Sequence, residues 1–359
     1  MNWFYLIRQS PHEDFKDHTF SYLCTVIIQS MKKRVLFLIN PVSGIGRQKT
    51  IEKLIEKQID HEKLEVEIAY TKYRGHAREL SAAASGTFDV VVAVGGDGTV
   101  NEAGSALINS STALAIIPTG SGNGLARYLE IPLKINWAVQ MINEMHVKKI
   151  DTLCVNEHVS LNVSGIGFDA FISHRFANKK QRGPLAYMKL ISKEFANYKS
   201  SSYQIAIDGE PHELSAFLIS FANSSQWGNN IHIAPGAKID DGLINVCIIR
   251  EFPKYSAPAL LISLLDQSLD QSRYDVIREA RRITIQSDNE LMGHVDGEPI
   301  ELGTKAEIKI NPLSLKVVVP PADFRRNMLL EPLKDIKDML PPLPQFPPFP
   351  KGFLGSDPD

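Results

Sequence analysis

Between Arg34 and about Ile150, short continuous apolar runs alternate with stretches in which apolar residues recur every three or four positions. Val35–Asn40, Leu64–Tyr70, Val90–Gly95 and Ala113–Ile117 read as strands, and helical spacing follows at Ile51-Leu54-Ile55, Ala77-Leu80-Ala84 and Val100-Ala103-Leu107. A run such as Val90-Val91-Val92-Ala93-Val94 has no polar face, so such a strand must be covered on both sides. That predicts a doubly wound α/β domain, with a parallel sheet between two layers of helices.

After Ile150 the pattern changes. Tyr203–Ile207, Ala216–Phe221, Leu243–Ile249, Arg282–Ile285, Ala306–Ile310 and Leu315–Val319 are rich in β-branched residues and separated by Gly, Pro and Asp turns. Two helical periods, Tyr187–Tyr198 and Ala257–Leu269, interrupt them. The expected architecture is a mainly antiparallel β-sandwich domain over residues 151–320 that follows an α/β domain over residues 31–150, with a cleft between them. The last strands are allowed to return to the first domain. Residues 1–30 show no clean period, and Met31-Lys32-Lys33-Arg34 leads straight into the first strand, which makes Met31 a candidate start. Residues 321–359 combine an amphipathic stretch, Phe324–Leu340, with Pro-rich sequence that cannot build a core. The stripe suits packing on the chain's own domain, contact with a lipid interface or binding of a partner.

Composition narrows the function. With 359 residues, 43% hydrophobic and 22% charged, the chain can bury two ordinary cores. A formal net charge of -2 gives no basic field for nucleic acid. Cys24, Cys154 and Cys247 are odd in number and widely spaced, so a disulfide framework is not expected and a reducing cytoplasm fits. No apolar run approaches the ~20 residues of a membrane-spanning helix.

Chemistry concentrates in three glycine-rich loops, each placed after a predicted strand. These are Asn40-Pro41-Val42-Ser43-Gly44-Ile45-Gly46-Arg47, Gly95-Gly96-Asp97-Gly98-Thr99-Val100-Asn101-Glu102 and Pro118-Thr119-Gly120-Ser121-Gly122-Asn123-Gly124. In a doubly wound sheet such loops share one edge and can surround one ligand, their glycines letting backbone amides approach phosphate. An acidic Asp97 among them calls for a Mg²⁺ beside the phosphates or a hydroxyl proton to accept, unless it merely caps a helix. None of the three is a GxxxxGK[ST] phosphate loop or a dinucleotide fingerprint. Asp296-Gly297-Glu298 brings two carboxylates close together, either as a pair aimed at one point or as a plain hairpin turn.

Taken in order from Lys33 to Val319, these motifs resemble the diacylglycerol and sphingosine kinase-like lipid kinases, soluble bacterial members included. The resemblance implies ATP and Mg²⁺ as cofactors, a lipid substrate met at the membrane surface by a cytoplasmic, peripheral enzyme, and no nucleic-acid partner. Monomer and homodimer both stay open. It places Asn40, Thr71, Gly95, Gly96, Asp97, Gly98, Thr99, Val100, Asn101 and Ser121 around the nucleotide. Asp97, Asp296 and Glu298 would carry catalysis, with the base among them unassigned. For Thr71 and His76, helix capping is the competing reading. Lys238, Asp241 and Leu243 match a structural Mg²⁺ site, against which stands a simple hairpin turn. Ser121 keeps the hydroxyl of the Thr found in many bacterial relatives, whereas Gly124 stands where those relatives often have Asp. The alternatives are an NAD kinase-like enzyme, which shares Gly-Gly-Asp-Gly, and a nucleotide-binding regulatory module without catalysis.

Overall fold

The computed structural model describes residues 32–43, 48–177 and 184–328. Met31, the loop residues 44–47 and the tail beyond 328 lie outside them. A first unit runs to Val319 and a second begins at Pro320, whose described part is a short helix over 322–328 with Arg326 4.0 Å from Asp323.

In the first unit, β1 (Lys33–Ile39), β2 (Leu64–Tyr70), β3 (Val90–Gly95) and β4 (Ala113–Pro118) pair in parallel, in the order β4-β3-β1-β2. Both β3 and β4 are buried along their whole length, as their unbroken apolar sequence requires. The crossovers are α1 (Gln48–Gln58), α2 (His76–Ala84) and α3 (Asp97–Ser105), and α4 (Gly124–Tyr128) and α5 (Ile135–Ile142) follow β4.

The remaining strands are β5 (Val147–Val155), β6 (His158–Ser160), β7 (Val163–Gly167), β8 (Ser201–Ile207), β9 (Glu210–Ala222), β10 (Gln226–Gly228), β11 (Ile231–His232), β12 (Ile244–Arg250), β13 (Asp275–Ala280), β14 (Arg282–Gln286), β15 (Met292–Val295), β16 (Glu298–Glu301) and β17 (Lys305–Val318). Their pairings with one another are antiparallel. One core, including Leu153, Ile166, Tyr203, Ile219, Phe221, Val246, Ile283 and Ile308, lies among these strands. A second core, with Phe168, Phe217, Cys247 and Leu260, sits beneath α6 (Phe168–Ala177), α7 (Pro184–Phe195) and α8 (Ala257–Leu265).

The runs Ala306–Ile310 and Leu315–Val319 are not two strands. They belong to β17, whose register shifts between Asn311 and Leu315. The bulge is held by Asp151 of β5, whose carboxylate accepts the Leu313 N–H at 2.6 Å and the Gly242 N–H at 2.7 Å. β17 pairs with β14 near its start and in parallel with β4 at Val317, so the two halves share one 15-stranded sheet.

Candidate active site

The three glycine loops meet at the carboxyl edge of β1, β3 and β4. Asn40 anchors the first to the second: its N–H donates to the Val94 carbonyl at 3.0 Å and its Nδ2 to Thr99 Oγ1 at 2.9 Å. Ser43 and Thr119 join the first to the third through their hydroxyls, 2.8 Å apart. The second and third touch at glycines, where a Cβ on Gly120 would lie 2.6 Å from the Gly96 Cα. Gly95 is equally constrained, because its Cβ would fall 2.4 Å from the Thr99 Cβ. These contacts are too close for side chains, so the sequence spends glycine there.

Asp97 begins α3 and looks across to α4. Its Oδ2 accepts the Asn123 N–H at 2.9 Å and its Oδ1 the Gly124 N–H at 2.8 Å. Burial pushes its pKa up, these amides oppose the shift, and the charge of Asp296 adds to it. A desolvated carboxylate with only neutral amide donors and a second carboxylate nearby is a fitting place for a cation. Among the described residues no group of three or more His, Cys, Asp or Glu forms a ready-made metal cage. A Mg²⁺ carried by nucleotide phosphates needs only one or two carboxylates, so the arrangement fits that kind of ion. At Gly124, a Cβ would lie 2.5 Å from both Asn162 Nδ2 and the Trp227 carbonyl oxygen, so the Asp of the resembling sequences would have no room here.

Asp296 and Glu298 are sequence neighbours with different surroundings. Asp296 and Gly297 form the two-residue turn between β15 and β16, with φ of 49° and 86°, the left-handed backbone that Asp-Gly favours. The Asp-Gly pair thus forms the plain hairpin turn that its sequence allows. The Asp296 Oδ1 accepts from Ser160 Oγ at 2.7 Å, the Asn162 N–H at 2.9 Å and the Val163 N–H at 3.2 Å. Its Oδ2 accepts from the Leu161 N–H at 2.9 Å and Asn101 Nδ2 at 2.7 Å. Five donors fill a carboxylate's acceptor capacity, which fixes the β6–β7 connection. Glu298 is half-exposed, pairs with Arg74 at 2.9 Å, and lies where a Cβ on Gly98 would meet its Oε1 at 3.2 Å. It faces the second glycine loop.

Other candidates fall into place around this centre. Asn101 is turned to Asp296 and the Val159 carbonyl, and Val100 is buried with its N–H donating to the Gly96 carbonyl. Thr71 is buried at the end of β2, its N–H on the Ile39 carbonyl, while Ser121 is exposed on the third loop. Neither Thr71 nor His76 caps α2. His76 Nδ1 accepts the Lys72 N–H at 3.0 Å, and the helix amides of Gly75 and Ala77 donate to the Glu102 carboxylate. Lys238, Asp241 and Leu243 lie apart on the loop before β12, where Asp241 accepts the Leu243 N–H at 3.0 Å as a turn-forming residue does. Sequence reasoning gave no role to Arg74, or to Glu102 at the end of the second loop motif, and missed Ser160–Val163, whose contribution is mainly backbone and leaves no side-chain signal.

A parallel α/β domain with its loops gathered at one edge, joined to an antiparallel sandwich, defines a two-part fold with the site where the parts meet. The family model "Diacylglycerol kinase catalytic domain" matches residues 34–155, and "YegS C-terminal NAD kinase beta sandwich-like domain" matches residues 162–319. A diacylglycerol kinase of Staphylococcus aureus is 30% identical over 276 residues, covering 75% of this chain and 87% of that protein. A probable YegS-like lipid kinase of Yersinia enterocolitica is 28% identical over 273 residues, covering 74% and 90%. The crystal structure of a diacylglycerol kinase from Bacillus anthracis superposes with a TM-score of 0.62 at 21% identity, over 81% of this chain and 98% of that one, which bears on the fold. The chain belongs to the diacylglycerol kinase and YegS-like family of lipid kinases.

Proposed function

We propose that the protein is an ATP- and Mg²⁺-dependent kinase of a diacylglycerol-like or sphingoid lipid hydroxyl, working at the membrane surface. The observation that carries the reading is the division of labour among the three carboxylates. Asp97 and Asp296 are fixed by amides, whereas Glu298 stands half-exposed against the glycine loop with only a guanidinium beside it.

Phosphoryl transfer asks the protein mainly for positioning, charge neutralisation and a proton acceptor. The loops at Gly96, Gly98 and Gly120 gather backbone amides that would bind phosphates, and Asn40 and Thr99 hold two of the loops in register. Asp97 would hold Mg²⁺, which when bound neutralises the phosphate oxygens. Glu298 accepts the hydroxyl proton of the lipid as its oxygen forms the bond to the γ-phosphorus and the bond to the β-phosphate oxygen breaks, releasing ADP. Asp296 and Asn101 keep the Glu298 hairpin docked on α3.

For the bilayer contact we assign α8. Leu261, Ile262 and Leu265 are exposed on this mostly apolar helix, next to Tyr255, and only Leu260 is buried. Among the described residues no helix is long and apolar enough to cross a membrane, and the exposed apolar face of α8 supports contact with a lipid surface. The discriminating experiment incubates the protein with ATP and Mg²⁺ and, in parallel, diacylglycerol, monoacylglycerol, sphingoid bases and NAD, followed by mass analysis. A phosphorylated lipid is expected. NADP alone, or no product, overturns the proposal.

A further inference from the structure

Behind the Asp296-Gly297 turn lies a buried pair that the scheme above does not use. His294 of β15 and Asp169 of α6 are 5% and 10% exposed, with Nε2 3.0 Å from Asp169 Oδ2. The same Oδ2 accepts from Ser220 Oγ at 3.3 Å, and Oδ1 accepts the Ala170 N–H at 2.8 Å. On the other side of the ring, Nδ1 accepts the Gly297 N–H at 3.3 Å. The two partners assign the tautomer. An aspartate can only accept and an amide N–H can only donate, so the proton sits on Nε2 and Nδ1 keeps its lone pair.

Gly297 is held from its carbonyl too, which accepts from Ser173 Oγ at 2.5 Å. Gly165 makes room for the pair: a Cβ there would lie 2.3 Å from Asp169 Oδ2 and 3.1 Å from His294 Nε2. Both polar groups of Gly297 are thus fixed from the sandwich side, at a residue whose φ of 86° lets the backbone turn and whose successor is Glu298. Releasing these two bonds would free the turn to shift, and Glu298 follows it directly in the chain.

We propose that His294, oriented by Asp169, is a positioning residue of phosphoryl transfer, its Nδ1 locking the Gly297 amide so that Glu298 stays aimed at the acceptor hydroxyl. The inference rests on the reading of Glu298 as the base.

Two isosteric substitutions separate the two ends of the ring. His294→Asn puts a carbonyl oxygen near the place of Nδ1, and His294→Gln puts an amide near the place of Nε2. Asp169→Asn acts through the tautomer: an amide NH₂ facing Nε2 drives the ring proton to Nδ1, where it opposes the Gly297 N–H. With ATP and a dispersed short-chain diacylglycerol, His294→Gln and Asp169→Asn should lower kcat about tenfold or more with the KM for ATP held, while His294→Asn recovers most of the loss. In the Glu298→Gln background the His294→Gln change should cost no more than about threefold, because both act on one step. Hydrogen exchange at the Gly297 amide reports the lock without turnover, and should be faster in His294→Gln than in His294→Asn. Wild-type turnover in Glu298→Gln overturns the base assignment. Wild-type kcat in His294→Gln beside a crippled Glu298→Gln, or equal losses in both His294 variants that follow their melting temperatures, overturns the role of the pair.

Discussion

Replacing Asp296 by Asn and Glu298 by Gln, one at a time, should produce two different kinds of damage. Asp296 accepts three hydrogen bonds on Oδ1 and two on Oδ2. An Asn can place its oxygen where Oδ1 was, which strands the Leu161 N–H and the Asn101 side-chain donor. Charge-assisted bonds are each worth about 1.5–3 kcal/mol, so the loss is about 3–6 kcal/mol before relaxation, roughly 10 °C in melting temperature for a domain of this size. Glu298 offers no such network among the described residues: its partner there is Arg74, itself largely exposed, and such pairs contribute about 0–1 kcal/mol. Glu298→Gln should therefore melt like the wild type while turnover falls about 10²- to 10⁴-fold, the range of general-base catalysis. Thermal melts by circular dichroism, ATP titration and steady-state turnover on dispersed lipid read all three quantities. An Asp296→Asn protein with unchanged melting and abolished turnover would refute the anchoring argument, since it would place that carboxylate on the reacting groups. Turnover within about threefold of wild type in Glu298→Gln would remove it as the base.

Asp97→Asn can accept only one of the two amides now held by the carboxylate, so it should lose most turnover and also about 1–3 kcal/mol of stability; full activity would refute its role at the phosphates. Asp275 is buried with neither oxygen meeting a sound donor, and burial, with Asp270 adding, lifts its pKa from 3.8 to about 7 despite the Val276 amide. The folded state then binds the proton more tightly, so stability present below about pH 4 is lost as pH rises through 7. Asp275→Asn should melt higher than wild type at pH 8, by up to about 4 kcal/mol, and equal it at pH 4; a difference independent of pH refutes the assignment. Ile262→Asp on α8 should depress activity on vesicle-embedded lipid more than on dispersed short-chain lipid, and equal losses would move the bilayer contact elsewhere.

The parallel half of the fold was legible almost to the residue. Val90–Gly95 coincides with β3, because a strand covered on both faces needs uniform apolar sequence, and Leu64–Tyr70 coincides with β2, an edge strand where Glu65 and Glu67 alternate with Leu64, Val66 and Ile68. β5 escaped notice, since Lys148, Lys149 and Asp151 interrupt its pattern, and Asp151 is tolerated only because amides of Gly242 and Leu313 reach it from far along the chain. The split of β17 into two runs has the same origin: the bulge carries Leu313 at a φ of 47° and is invisible to periodicity. At the site, glycine spacing pointed to the loops that the structure gathers. It could not separate Asp296 from Glu298, because the difference lies mainly in the amides of Leu161, Asn162 and Val163, over 130 residues away.

The position of β17 also dictates an order of assembly. β4 carries β3 on one edge and meets β17 at Val317 on the other. During synthesis, the strands of the first half emerge and can pair about two hundred residues before the strand that completes their sheet, and until then β4 presents an open, wholly apolar edge. A ribosome adding residues at about 5–20 per second keeps that edge bare for some ten seconds or more. Closure of the sheet waits for β17, which makes the nascent chain a customer for holding chaperones and leaves any fragment stopped before Lys305 with a strand edge seeking a partner.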